Sequence, residues 1–140
     1  MSQPPDGPEN STMPESSLHE TLVSGFREIS AILDQRHSTL AVDPALADLA
    51  ARVETAPEPD EVKTAILYTV DSRELSGSAE IVQYFAHRFR WNWLRSELEK
   101  RHSNSLATVN HKLTRHYERM LEAFTQDWED RDLFPSLDRQ

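Results

Sequence analysis

One stretch of the chain concentrates side chains that bind rather than merely fill space. His87-Arg88-Phe89-Arg90-Trp91-Asn92-Trp93-Leu94-Arg95 interleaves cations with aromatic rings. Guanidinium groups fork onto carboxylates and phosphates, and aromatic faces stack on bases or fill apolar pockets. That mixture suits two kinds of partner. Trp and Arg are among the residues that dominate protein–protein binding energy. Basic and aromatic residues together also line grooves that hold single-stranded nucleic acid. Arg88, Arg90, Trp91 and Arg95 are therefore the candidate partner-binding residues, with Trp91 as the anchor. Lys100, Arg101, Lys112, Arg115 and Arg119 would extend a nucleic-acid surface over residues 87–119. The plain alternative is that Phe89 and Trp93 belong to the core and that the arginines pair with Glu80, Glu97, Glu99 and Glu118.

Catalytic and metal chemistry find little support. Glu99 and His102 have the i, i+3 spacing of carboxylate-bridged di-iron bundles, and Asp34 and His37 form an imperfect second pair. Such a centre needs two more inward-facing glutamates, and none stands out. Both pairs fall at expected helix ends, where surface charge is ordinary. His111 and His116 lie five apart and do not share a helix face, and His87 sits in an apolar segment, where packing or hydrogen bonding is expected. With no cysteine, thiolate metal sites, disulfides and thiol catalysis are excluded. Three glycines in the whole chain leave no phosphate-cradling loop. No catalytic residue, metal or cofactor is expected. The remaining small-molecule reading is a pocket near His87 and Trp91.

Charge is unevenly distributed in a chain of formal net charge −9. Residues 1–60 hold 11 acids and 3 bases, whereas residues 85–119 hold 8 bases and 3 acids. The acidic half would steer the protein toward a basic partner. A second copy of the chain is a separate candidate partner. Twelve arginines against three lysines reads as the codon usage of a GC-rich bacterial genome. No apolar leader and no run near the roughly 18 residues of a membrane span is visible, so a cytoplasmic protein without a membrane partner is expected.

The elements that position these residues read as helices. Residues 1–15 hold Pro4, Pro5, Pro8 and Pro14 and almost nothing to bury, so a disordered acidic tail is expected. Residues 16–140 form one helical domain. Ser17 and Glu20 make a capping box ahead of a stripe at Leu22, Phe26, Ile29 and Leu33. Asp43 as N-cap with Pro44 behind it opens a second helix, and Pro57-Glu58-Pro59-Asp60 opens a third. Ser76-Gly77-Ser78 ends that helix and caps the next. Residues 79–102 are apolar on both sides of a helical wheel. They form either one helix buried all round or two helices broken near Arg90-Trp91-Asn92. Ser103-Asn104-Ser105 marks a break, followed by a long stripe from Leu106 and Val109 through Leu113, Tyr117, Met120 and Phe124 to Trp128. Leu133, Phe134 and Leu137 dock back as a terminal clip. The echo between residues 33–38 and 98–103 reflects shared helix-end chemistry or a duplicated unit.

The expected fold is all-α, a small antiparallel bundle or short helix-pair stack of five or six helices. The expected function is a non-enzymatic protein-interaction or regulatory module of bacterial type, with nucleic-acid binding through residues 87–119 as the alternative.

Overall fold

The first helix starts where its cap predicts. In the computed structural model the Ser17 hydroxyl accepts the Glu20 N–H at 3.1 Å, satisfying one orphan donor of the first turn. The model describes residues 17–56, 59–72, 75 and 77–139, so the tail expected at 1–15 and the breaker residues Pro57, Glu58 and Ser76 lie outside the described residues. Helix α1 spans Leu18–Arg36 and stops at His37, whose left-handed backbone (φ 51°) turns its N–H back to the Leu33 carbonyl. A 3₁₀ turn, Thr39–Val42, leads into α2, Asp43–Glu54. Then come α3, Pro59–Asp71, and α4, Ser78–Phe89. Helices α5, Asn92–Ala107, and α6, His111–Glu122, follow, and two 3₁₀ turns, Glu129–Leu133 and Pro135–Arg139, close the chain. Among the described residues there is no strand, so the protein is all-α as expected. Among the described residues no helix is long and apolar enough to cross a membrane.

Helix α4 is the hub. Ile81, Val82, Gln83, Tyr84, Phe85 and Ala86 are all buried, which requires neighbours on every side. It meets Leu22, Phe26 and Ile29 of α1, Val62, Ile66 and Val70 of α3, and Tyr117 and Met120 of α6 in one core. Each such side chain contributes about 1.5–3 kcal/mol by leaving water. Directions follow from polar pairs. His19–Glu61 and Arg27–Tyr68 run in the same order along α1 and α3, so these two are parallel and pack directly on each other. Ser105–Thr114 and His102–Glu118 run in opposite order, making α5 and α6 an antiparallel hairpin.

Several local expectations are corrected. Ser103-Asn104-Ser105 does not punctuate: α5 continues to Ala107, and the break falls at Thr108–Asn110, where the Asn110 side chain caps α6 by accepting the Leu113 N–H at 3.2 Å. Leu106 and Val109 are consequently not core; they are 56% and 68% exposed at the hairpin tip. The stripe then begins at Leu113, and Trp128, though buried, lies in a turn beyond the helix end at Glu122. Arg101 and His102 sit inside α5 rather than at its end, so the echo with residues 33–38 matches no shared helix terminus. Asp43 makes no side-chain cap to its own helix. Its buried carboxylate is turned instead to Ser136 in the terminal clip, where Phe134 and Leu137 are buried and Leu133, contrary to expectation, is exposed.

Candidate interaction site at the bend between the fourth and fifth helices

The apolar excess of residues 79–102 is resolved by a bend. Arg90 takes left-handed backbone angles (φ 51°, ψ 42°) and its N–H closes α4 on the Ala86 carbonyl at 2.8 Å. Trp91 is extended and α5 restarts at Asn92. The guanidinium of Arg90 stays at the helix end, donating to the carbonyls of His87 and Phe124, both at 3.2 Å. A cation there complements the negative helix terminus. The bend ties α4 to the end of α6 and swings the aromatic residues into register.

Those residues form a ladder. Phe89 and Trp91 stack with centroids 4.7 Å apart and planes 3° from parallel. Trp93 stacks on Trp91 at 5.2 Å and 24°, and Phe85 underlies the set at 6.0 Å from Phe89. Phe85 is fully buried, while Phe89, Trp91 and Trp93 are half-buried, so the ladder runs from the core to the surface. Offset stacks of this kind add about 0.5–1.5 kcal/mol per pair beyond area burial. Lys63 of α3 places its ammonium 5.4 Å from the Trp93 ring centre, and Arg88 places its guanidinium 5.4 Å from Phe89. Beside Trp91 and Trp93 lies a concavity of about 100 Å³, lined also by Val53, Ala56, Pro59 and Val62. That volume is well below the roughly 300–1,000 Å³ of small-ligand sites.

The four candidate residues are thus gathered around one bend but do different things. Arg88 is withdrawn: its side chain is 9% exposed, donates to Glu54 at 3.0 Å and to the Tyr84 hydroxyl at 3.3 Å, and leaves its Nε without a partner among the described residues. Burial works against its charge, but the hydrogen bonds to Glu54 and Tyr84 outweigh it and hold its pKa above the ordinary value. Arg90 is exposed and caps α4. Trp91 is the middle rung. Arg95 is exposed and pairs with Glu99 at 3.3 Å along α5.

Three of the five cations expected to extend the surface, Lys100, Arg101 and Arg119, are paired within the chain, while Lys112 and Arg115 are exposed. Arg101 forks onto Asp71 at 2.7 and 2.8 Å and onto Glu97 at 2.7 Å, which clamps α5 to the end of α3. The Arg101 hydrogen bond holds the Glu97 carboxyl below its usual range. Arg119 pairs with Glu80 and Lys100 with Glu97, and the His102 ring is hydrogen-bonded to Glu118. Lys112 instead borders a larger concavity of about 480 Å³ with Asp71, Ser72, Asn110 and His116. His87 is packed as expected. Its Nδ1 lies 2.8 Å from the Ala123 carbonyl and its ring rests on Trp128. Because a carbonyl only accepts, Nδ1 carries the proton.

Comparison with protein-family models, with curated proteins and with solved structures finds no match. The functional reading therefore rests on the site's own geometry. Sequence reasoning missed the part of Lys63, thirty residues from Trp93, because cation–ring contacts across helices leave no periodic signal. It also missed the conversion of Arg90 into a helix stop. The trace that was present was a helical wheel with two apolar faces, which one straight amphipathic helix cannot bury.

Proposed function

We propose that this chain is a non-enzymatic protein-interaction module that binds a partner segment across the Phe89–Trp91–Trp93 ladder. The observation that carries the reading is the ladder itself: three stacked rings leading out of the core, beside a concavity too small for a cofactor. Large rigid rings lose little side-chain entropy when they anchor a partner. Lys63, over the Trp93 ring, supplies positive charge at the outer end of the ladder. Nucleic acid is the less favoured partner, since Arg95, Lys100, Arg101 and Arg119 already hold carboxylates that a phosphate backbone would have to displace.

The test is retention of a stoichiometric partner from native lysate by the full chain and by Trp91→Ala and Lys63→Glu variants. The reading expects Trp91→Ala to lose the partner and Lys63→Glu to weaken it, while circular dichroism and the melting profile show both variants folded. A partner retained equally by all three, or none retained by any, counts against it.

A further inference from the structure

We propose that the concavity between the end of α3, the start of α4 and the start of α6 binds a small organic carboxylate. It shares no lining residue with the ladder, and its test is separate from that of the partner reading. Its volume is about 480 Å³, inside the roughly 300–1,000 Å³ of small-ligand sites.

A buried hydroxyl without a partner marks where a polar ligand atom belongs. Ser78, the first residue of α4, is 5% exposed, and the little surface it keeps opens into the concavity. Its hydroxyl has no hydrogen-bond partner among the described residues, although buried hydroxyls are ordinarily bonded. The backbone beside it is equally unmet. Gly77 has no side chain with which to cap α4, so the first-turn N–H groups of Ala79 and Glu80 carry no side-chain cap among the described residues. Such groups, at the positive end of a helix, favour an anion. Helix α6 also starts at the concavity, but the Asn110 side chain already accepts its Leu113 N–H. The opening for an anion is therefore at α4.

Charge decides which anion. Lys112 lines the concavity from α6, is exposed, and makes no ion pair among the described residues. Asp71 is the acid of the lining, and Arg101 holds both of its carboxylate oxygens, at 2.7 and 2.8 Å. Glu80 in the first turn of α4 pairs with Arg119. Arg73 and Glu74, which follow Ser72 in sequence, carry opposite charges. With histidine counted as neutral, Lys112 is left as the uncompensated charge. One cation matches one carboxylate, whereas a phosphate dianion would bring a second negative charge toward Asp71 with no second cation to meet it. The ligand carboxylate would accept from the Ser78 hydroxyl, the first-turn N–H groups and the Lys112 ammonium. Val70, Leu75 and Leu113 supply apolar wall for a short aliphatic or single-ring body.

The test follows backbone amide shifts of the isotope-labelled full chain during titration with sodium acetate, hexanoate and benzoate. Benzamide, the neutral counterpart of benzoate, and inorganic phosphate serve as comparisons. Hexanoate or benzoate should give saturable shifts centred on Ala79, Glu80 and Lys112, and benzamide should bind far more weakly than benzoate. Lys112→Gln and Ser78→Ala should each weaken binding roughly three- to tenfold, with melting profiles showing both variants folded. If Ser78→Ala fails to fold, Lys112→Gln, at an exposed position, decides alone. No saturable shift at those amides with any of the three carboxylates would overturn the proposal. So would benzamide binding as well as benzoate, phosphate binding more tightly than benzoate, or an affinity unchanged in Lys112→Gln. None of these outcomes bears on partner retention through Trp91.

Discussion

Asp43 and Ser136 are fastened together across 93 positions of sequence: the Asp43 carboxylate accepts the Ser136 hydroxyl at 2.7 Å and its backbone N–H at 3.1 Å. With its proton committed to the carboxylate, the Ser136 hydroxyl accepts from Tyr84 at 2.9 Å, and Tyr84 in turn accepts from Arg88 at 3.3 Å. One buried polar chain thus joins α2, α4 and the terminal clip to the edge of the ladder. Hydrogen bonds to a charged group are worth about 1.5–3 kcal/mol each, and an orphaned buried donor costs a similar amount. Asp43→Ala should destabilise the protein by roughly 3 kcal/mol. Ser136→Ala, which keeps the backbone N–H contact, should cost about half that. Urea unfolding followed by circular dichroism decides, and equal, small losses would mean that the clip is held by Phe134 alone.

Val109 is a β-branched residue in the left-handed region (φ 56°) just past the end of α5, where glycine is the favoured residue. Left-handed backbone costs a side-chain-bearing residue about 1–2 kcal/mol. Val109 is also exposed, so removing its side chain loses almost no packing. Val109→Gly should therefore raise stability by about 1 kcal/mol. Val109→Ile should give no gain. A melting temperature lowered by the glycine would show that the valine packs against something after all.

How far these features were legible depends on their range. The α1 stripe, its Ser17 cap and the burial of Tyr117, Met120 and Phe134 follow from periodicity and local capping, which the sequence carries directly. Asp43 shows the limit. Asp before Pro is a local N-cap signal, but the buried serine of the clip offers its carboxylate two donors at once, and tertiary demand wins. The hinge at Thr108–Asn110 was placed five residues too early because Ser103 and Asn104 look like breakers, yet both are exposed and cost α5 little. At the candidate site, residue types were readable and roles were not. Nothing local distinguishes the withdrawn Arg88 from the exposed Arg90 two positions on.

At Gly25, α1 lies close against Leu49 of α2. A Cβ there would lie 2.8 and 2.9 Å from the two terminal methyl carbons of Leu49. Alanine in mid-helix gains about 1 kcal/mol over glycine, whereas overpacking costs about 1–3 kcal/mol. Gly25→Ala should therefore be mildly destabilising in the wild-type chain. In a Leu49→Ala background the clash is gone and the same change should be stabilising. A double-mutant cycle on unfolding free energies reads the sign reversal, and additive effects would mean that Leu49 rotates away without strain.

His87 should give the fold a pH dependence of known sign. Burial disfavours the imidazolium, and the positive charges of Arg90 and Arg131 add to that, so its pKa lies below the ordinary value despite the Ala123 hydrogen bond and the nearby Asp138. The unfolded chain then binds more protons than the folded one once the pH falls below the ordinary histidine value of about 6.5. Stability attributable to His87 is complete above that pH and is lost as the solution is acidified toward the folded-state pKa. His87→Asn keeps a donor for the Ala123 carbonyl, removes the titrating ring, and loses its contact with Trp128, so it should be somewhat less stable at pH 7. Its melting temperature should nevertheless fall less between pH 7 and pH 5 than that of the wild-type chain. Parallel curves for the two proteins over that range would mean that His87 is protonated in the fold without cost, and that the desolvation argument fails.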